Sequence, residues 1–209
     1  MGFALVAAPV LLLPYVELSG PNRGQLNFYS PAEEQRLGAR EARRIEARFG
    51  TVVIPQAQAY LEQLGARIVS ITENPHVKYQ FRILDTKAVN ALAAPGGVVY
   101  VTRGLILAAR GEGELAGVLA HEISHIVARH ATERLSRNQL IAFLSSMGGS
   151  MLIGNLASPI PGFVTSLEGL SYSRGDETEA DDLGTAYLYE AGYDPTAMAS
   201  FLDLSLIHI

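Results

Sequence analysis

Cysteine is absent from all 209 residues, so neither a disulfide framework nor a cysteine-ligated zinc site can be built, although the absence is compatible with any compartment. A basic block is missing too. The 16 Lys and Arg residues stand against 21 Asp and Glu, a formal charge of −5, which argues against nucleic acid as a main partner. No internal repeat or low-complexity tract divides the chain, and its length suits one domain with a substantial core. No basic residue precedes Arg23. The apolar stretch over residues 2–16 has the length of a signal-peptide core, but it lacks the positive flank and is short for a membrane span. Residues 1–24 are therefore expected to be an atypical export signal or a short N-terminal anchor. Charge is also absent between residues 138 and 167, where Gly, Ser and Asn interrupt the apolar residues. A buried helix and loop is expected there, with a membrane-inserting hairpin as the alternative.

Chemistry is concentrated in His121-Glu122-Ile123-Ser124-His125. On a helix, positions i and i+4 share a face, so both imidazoles can aim at one point. Glu122 lies about 100° around the helix from His121, where its carboxylate can reach a water on a metal without taking a ligand position. Two histidine ligands and a general base in this spacing are the zinc-peptidase arrangement. Leu115, Val118, Leu119 and Ile126 fall at helical spacing around the motif, so it is expected on a long amphipathic helix at least half buried.

A third protein ligand is needed, with the fourth position left for water. The scheme that adds a histidine six residues after the second, with an intervening glycine, is excluded because those positions hold Ala131 and Ala128. His130 is one residue off and is expected on the wrong side of the helix. The alternative is a carboxylate from a later helix, for which residues 176–182 supply Asp176, Glu177, Glu179, Asp181 and Asp182. Glu177 and Asp181 are four apart and share a helix face, and one carboxylate of such a pair could bind zinc while the other accepts from the free ring N–H of a liganding histidine. Spacing alone does not choose between Glu177 with Asp181 and Glu179 with Asp182.

Three blocks resemble the M48 metallopeptidases: residues 89–101 (Val-Asn-Ala-Leu-Ala-Ala-Pro-Gly-Gly-Val-Val-Tyr-Val), 114–125 with the zinc motif, and 173–181 (Ser-Arg-Gly-Asp-Glu-Thr-Glu-Ala-Asp). The similarity runs from about residue 25 to about residue 195. It implies a zincin-like α+β fold, Glu177 as the third ligand of one zinc ion per chain, and Asp181 as the partner of a liganding histidine. Ste24-like and HtpX-like enzymes carry several membrane helices, so the soluble periplasmic BepA/LoiP-like subgroup fits better. In zincins an edge strand beside the cleft pairs with the substrate main chain. Pro95-Gly96-Gly97 is turn chemistry and Val98-Val99-Tyr100-Val101 is strand-like, so Gly97, Val98, Val99 and Tyr100 are the expected substrate-binding residues.

Ser30-Pro31-Ala32-Glu33 reads as an N-cap, Pro at N1 and capping-box Glu, opening a helix that stops at Gly50. A second helix is expected from Pro55 to about Ile71, and a strand over residues 79–85, giving two strands before the zinc helix. Helices, a small sheet beside the active-site helix and further helices make an α+β domain over residues 25–209. This domain is expected to be truncated at its C-terminus, because the family continues with a further histidine, for which His208 is a weak substitute. The expected function is a zinc endopeptidase acting on proteins or peptides in the periplasm or cell envelope, with peripheral membrane association in view. Its rivals are a chaperone-like scaffold with a weak or gated site and a membrane-bound processing protease. Arg174 is considered as a second electrophile or a structural salt bridge.

Overall fold

The capping box read at Ser30 forms: the Ser30 backbone N–H donates to the Glu33 carboxylate at 2.8 Å, and Ser30 Oγ accepts from the Glu33 N–H. It opens α1 (Pro31–Phe49), which ends where Gly50 takes a φ of 70°. The computed structural model describes residues 22, 25–74, 77–144 and 172–200. The readings made for residues 1–21, for residues 145–167 and for His208 lie outside them. After α1 come α2 (Pro55–Val69), β1 (Gln80–Leu84), β2 (Ala91–Ala94), β3 (Val98–Thr102), α3 (Arg103–Ala108), α4 (Glu112–Val127), α5 (His130–Leu144) and α6 (Arg174–Glu190). Residues 196–200 are again helical. No described helix is long and apolar enough to cross a membrane.

Three strands precede α4, one more than expected. Ala91–Ala94 was not legible as a strand because it has no β-branched or aromatic residue to signal one. It pairs antiparallel with β3, Ala91 opposite Val101 and Ala94 opposite Val98. On the other side of β3, β1 pairs parallel, Gln80 opposite Val98. The order is β1-β3-β2. Gly96 in the β2–β3 turn has φ 76°, and a Cβ there would lie 2.7 Å from Gln35 Cα, so only glycine fits.

Period-two alternation divides the strand residues between two cores. Val98 and Tyr100 pack with Leu92, Ala94, Ala42 and Ile45 under α1. Val99 and Val101 face the larger core with α2, α4 and Tyr187 and Leu188 of α6. The layers therefore run α1, sheet, then α2 with α4, and α6 closes over α4. Helix α4 is not amphipathic in this setting: buried residues run continuously from Glu114 to Ala120 and again from Ile123 to Val127. A helix enclosed on nearly all sides is a stiff platform for the side chains it presents.

Candidate metal centre

His121 and His125 project from one face of α4 with their Nε2 atoms 3.1 Å apart. From α6, Glu177 brings Oε2 to 3.4 Å from His121 Nε2 and 3.8 Å from His125 Nε2. Among the described residues these three form the group of histidines and carboxylates able to share a metal ion. An ion about 2.0–2.1 Å from each of three tetrahedrally disposed donors would hold the donors about 3.3–3.4 Å apart. The observed separations bracket that value, and two imidazoles with a carboxylate are a zinc donor set.

The approach of α6 to α4 depends on Gly184. A Cβ at that position would lie 3.2 Å from both Ala120 C and His121 N, so the helices touch at the backbone beside the first histidine. The start of α6 sorts the acidic cluster by role. Asp176 is the capping-box partner of Ser173, accepting from its N–H at 2.9 Å. Asp181 Oδ1 lies 3.0 Å from His121 Nδ1. Glu179 Oε2 lies 3.3 Å from Nε2 of His130, and Asp182 is exposed. The structure thus brings Glu177 with Asp181, and not Glu179 with Asp182, to the histidine pair.

Glu122 lies across the motif, and the backbone N–H of Ala93 donates to its carboxylate. Burial, helped by the nearby Glu177, pushes the Glu122 carboxyl up to about 7, although His121 and the Ala93 N–H oppose the rise. Burial likewise lowers His125 to about 2, with His121 and His130 adding to the effect. For His121 burial acts downward but is outweighed by Glu177, Glu122 and Asp181, which raise it to about 9.

Two expectations are corrected here. Val98, Val99 and Tyr100 lie in the central strand, paired on both sides, and Gly97 O already accepts from the Gln80 N–H at 2.9 Å. Val99 and Tyr100 are fully enclosed, and the Tyr100 hydroxyl donates to Glu46 at 2.6 Å. These residues have no free edge to offer a peptide. The strand whose outer edge faces Glu122 is β2, through Ala93. His130 is the second correction. It does not point away: its Nδ1 lies 2.8 Å from His125 Nδ1. The reason is a break in the helix that the sequence does not announce. Helix α4 ends at Val127, Arg129 takes a φ of 55°, and α5 starts afresh at His130. Left-handed backbone on a residue other than glycine costs about 1–2 kcal/mol and persists only where surroundings fix it. Here Arg129 Nε donates to Glu34 at 2.9 Å, and the Val127 and Ala128 carbonyls accept from Asn22 and Gln25 at 2.8 Å each.

Tyr172 was also not foreseen. Its ring stacks on His125 with centroids 4.1 Å apart and an interplanar angle of 16°. Arg174 is exposed and forms no ion pair with another described residue. A cavity between α2 and β1, lined by Gln58, Glu62, Phe81 and Ile83, is remote from the histidines.

The model of peptidase family M48 matches residues 55–208. The chain belongs to this family. It is 33% identical over 181 residues to the beta-barrel assembly-enhancing protease of Yersinia pestis, covering 82% of the chain and 37% of that protein. The Escherichia coli K12 protein of the same name is 32% identical over 184 residues, 83% of the chain and 38% of that protein. The mitochondrial metalloendopeptidase OMA1 of Schizosaccharomyces pombe is 29% identical over 189 residues, 88% of the chain and 55% of that protein. The chain thus spans less than two thirds of the length of these relatives.

Proposed function

We propose that this M48 chain is a zinc-dependent endopeptidase in which His121, His125 and Glu177 hold one Zn2+ and Glu122 is the catalytic base. The observation that carries this reading is the convergence of His121 Nε2, His125 Nε2 and Glu177 Oε2 at separations a single ion accounts for, with the Glu122 carboxylate alongside. Bound there, zinc supplies Lewis acidity, lowering the pKa of a water and polarising a scissile carbonyl. Glu122 would take a proton from a water attacking the scissile carbonyl and return it to the leaving amine. A carboxyl raised toward neutrality by burial suits that double duty, since it can both accept and return a proton near pH 7. Asp181, 3.0 Å from His121 Nδ1, would accept the N–H of that nitrogen and leave the Nε2 lone pair of His121 for the metal. The substrate main chain pairs with the outer edge of β2, beside Glu122, rather than with β3.

Protein quality control in the bacterial cell envelope, on its periplasmic side, is the role we propose for this chain; the similarity to proteases named for enhancing beta-barrel assembly supports that reading. Substrates are proteins or peptides. The deciding experiment compares wild type with Glu122→Gln and Glu177→Ala in casein hydrolysis and in metal content. Glu122→Gln is expected to retain zinc and lose at least about a hundredfold in hydrolysis, the scale of a positioned general base. Glu177→Ala is expected to lose the metal. Full hydrolysis by Glu122→Gln would overturn the assignment.

A further inference from the structure

His121 and His125 are alike as ligands but differ in what holds them. The free nitrogen of His121 meets a carboxylate directly, at Asp181. The free nitrogen of His125 meets another imidazole, that of His130, at 2.8 Å, and the far nitrogen of His130 lies 3.3 Å from Glu179. Only 1% of His130 is exposed, and its ring meets that of His125 edge-on at 71°.

Resting on the zinc reading above, we infer that His130 and Glu179 are positioning residues that orient His125 through a two-step hydrogen-bond relay. The direction follows from counting protons. If the Nε2 lone pair of His125 faces the metal, its single N–H is at Nδ1. That N–H donates to His130, whose Nδ1 must therefore carry a lone pair and whose N–H must be at Nε2. The Nε2–H in turn donates to the Glu179 carboxylate. Each link leaves only one tautomer for the next. Both ligand histidines thereby end on carboxylates of α6, the helix that also supplies Glu177.

The fold is built to hold this arrangement. Were α4 to continue past Val127 without a break, residue 130 would not share the face of residue 125. The left-handed Arg129 restarts the helix so that His130, as first residue of α5, returns its ring to His125. Tyr172 covers a face of the His125 ring, so the ring is fixed both by stacking and by its hydrogen bond.

The test uses the full chain, with zinc affinity measured by competition against a chromophoric chelator. His130→Leu, which keeps apolar bulk and removes the acceptor, is expected to weaken zinc binding about ten- to a hundredfold, the usual consequence of losing such a partner. His130→Asn places Oδ1 where Nδ1 was and is expected to recover affinity to within about threefold of wild type, by the same measure. Glu179→Ala, on a part-exposed side chain whose loss leaves the fold intact, is expected to weaken binding by a smaller factor. In zinc-loaded protein with 15N-labelled histidine, long-range proton–nitrogen couplings are expected to show the proton of His125 on Nδ1 and that of His130 on Nε2. Wild-type affinity in His130→Leu, or a His130→Asn no tighter than His130→Leu, would overturn the relay while leaving the ligands untouched. So would a proton on His130 Nδ1. If His125→Ala bound zinc as wild type does, the ligand assignment itself would fall.

Discussion

Arg129 is 5% exposed and carries a charge that must be matched where it lies. Its Nε donates to Glu34, itself buried at 7%, and Nη2 donates to the Tyr29 carbonyl. Removing one member of a buried pair strands the other in a poor dielectric, a loss of about 3–5 kcal/mol. Glu34→Ala is therefore expected to lower the urea midpoint sharply, whereas Arg103→Ala, at a pair with Asp85 whose side chains are 36% and 51% exposed, should change stability by under about 1 kcal/mol. Similar midpoints for the two variants would show that the turn is not anchored by this pair. The residue scale also shows what a sequence can and cannot disclose about a site. His121, Glu122 and His125 were legible because their relation is local, fixed by 3.6 residues per turn. Glu177 and Asp181 could be narrowed by spacing to one of two pairs and chosen only by family resemblance. His130 was misread because its position depends on a single left-handed residue whose support comes from Asn22, Gln25 and Glu34, about a hundred positions away in the chain.

At the scale of elements, the contact of α4 with α6 decides whether the atoms of His121, His125 and Glu177 meet. Gly184 makes it: a larger side chain there would press on the backbone of Ala120 and His121 as well as on the Met198 side chain. The Met198 chain can move, but the α4 backbone cannot. Gly184→Val is expected to destabilise the fold by about 1–3 kcal/mol, the cost of overpacking. Because the proposed ligands sit on both helices, it should also shrink the rise in melting temperature expected on adding zinc, a linkage effect that scales with affinity. Differential scanning calorimetry with and without zinc reads both, and an undiminished zinc increment would separate the contact from the site. The elements differed in legibility for physical reasons. Helix α1 declares itself through its cap and its Gly50 stop, and β3 through its β-branched run. Strand β2 is four small residues whose strand state comes from pairing with β3, and its proximity to Glu122 is tertiary. That is why the substrate edge was expected on β3, which the sheet order pairs on both sides.

The whole molecule is tied together away from the site by a polar latch on its surface. Tyr60 of α2 donates to Glu112 at 2.8 Å, at the start of α4, and Tyr193, just beyond α6, donates to the same carboxylate. Arg67 of α2 lies over the Tyr193 ring at 4.8 Å. These contacts join α4 and the end of α6 to α2, at the opposite end of α4 from Arg129. Desolvation, with Glu112 adding to it, pushes the Tyr60 hydroxyl from 10.0 up to about 12. A pKa higher in the folded state than in the unfolded one means that the folded protein holds its proton more tightly. The latch's contribution is therefore complete below about pH 10 and is lost as pH rises toward 12, where the phenolate would face the Glu112 carboxylate. Tyr193 shifts in the same direction, for the same causes. Melting temperature is expected to fall between pH 10 and 12 in wild type. Tyr60→Phe, which has no proton to lose, should start lower at pH 9 and fall less steeply across that window. Parallel slopes for the two proteins would mean that alkaline unfolding is driven by the enclosed hydroxyls of Tyr100 and Tyr187, which burial also raises, and that the latch contributes nothing to it.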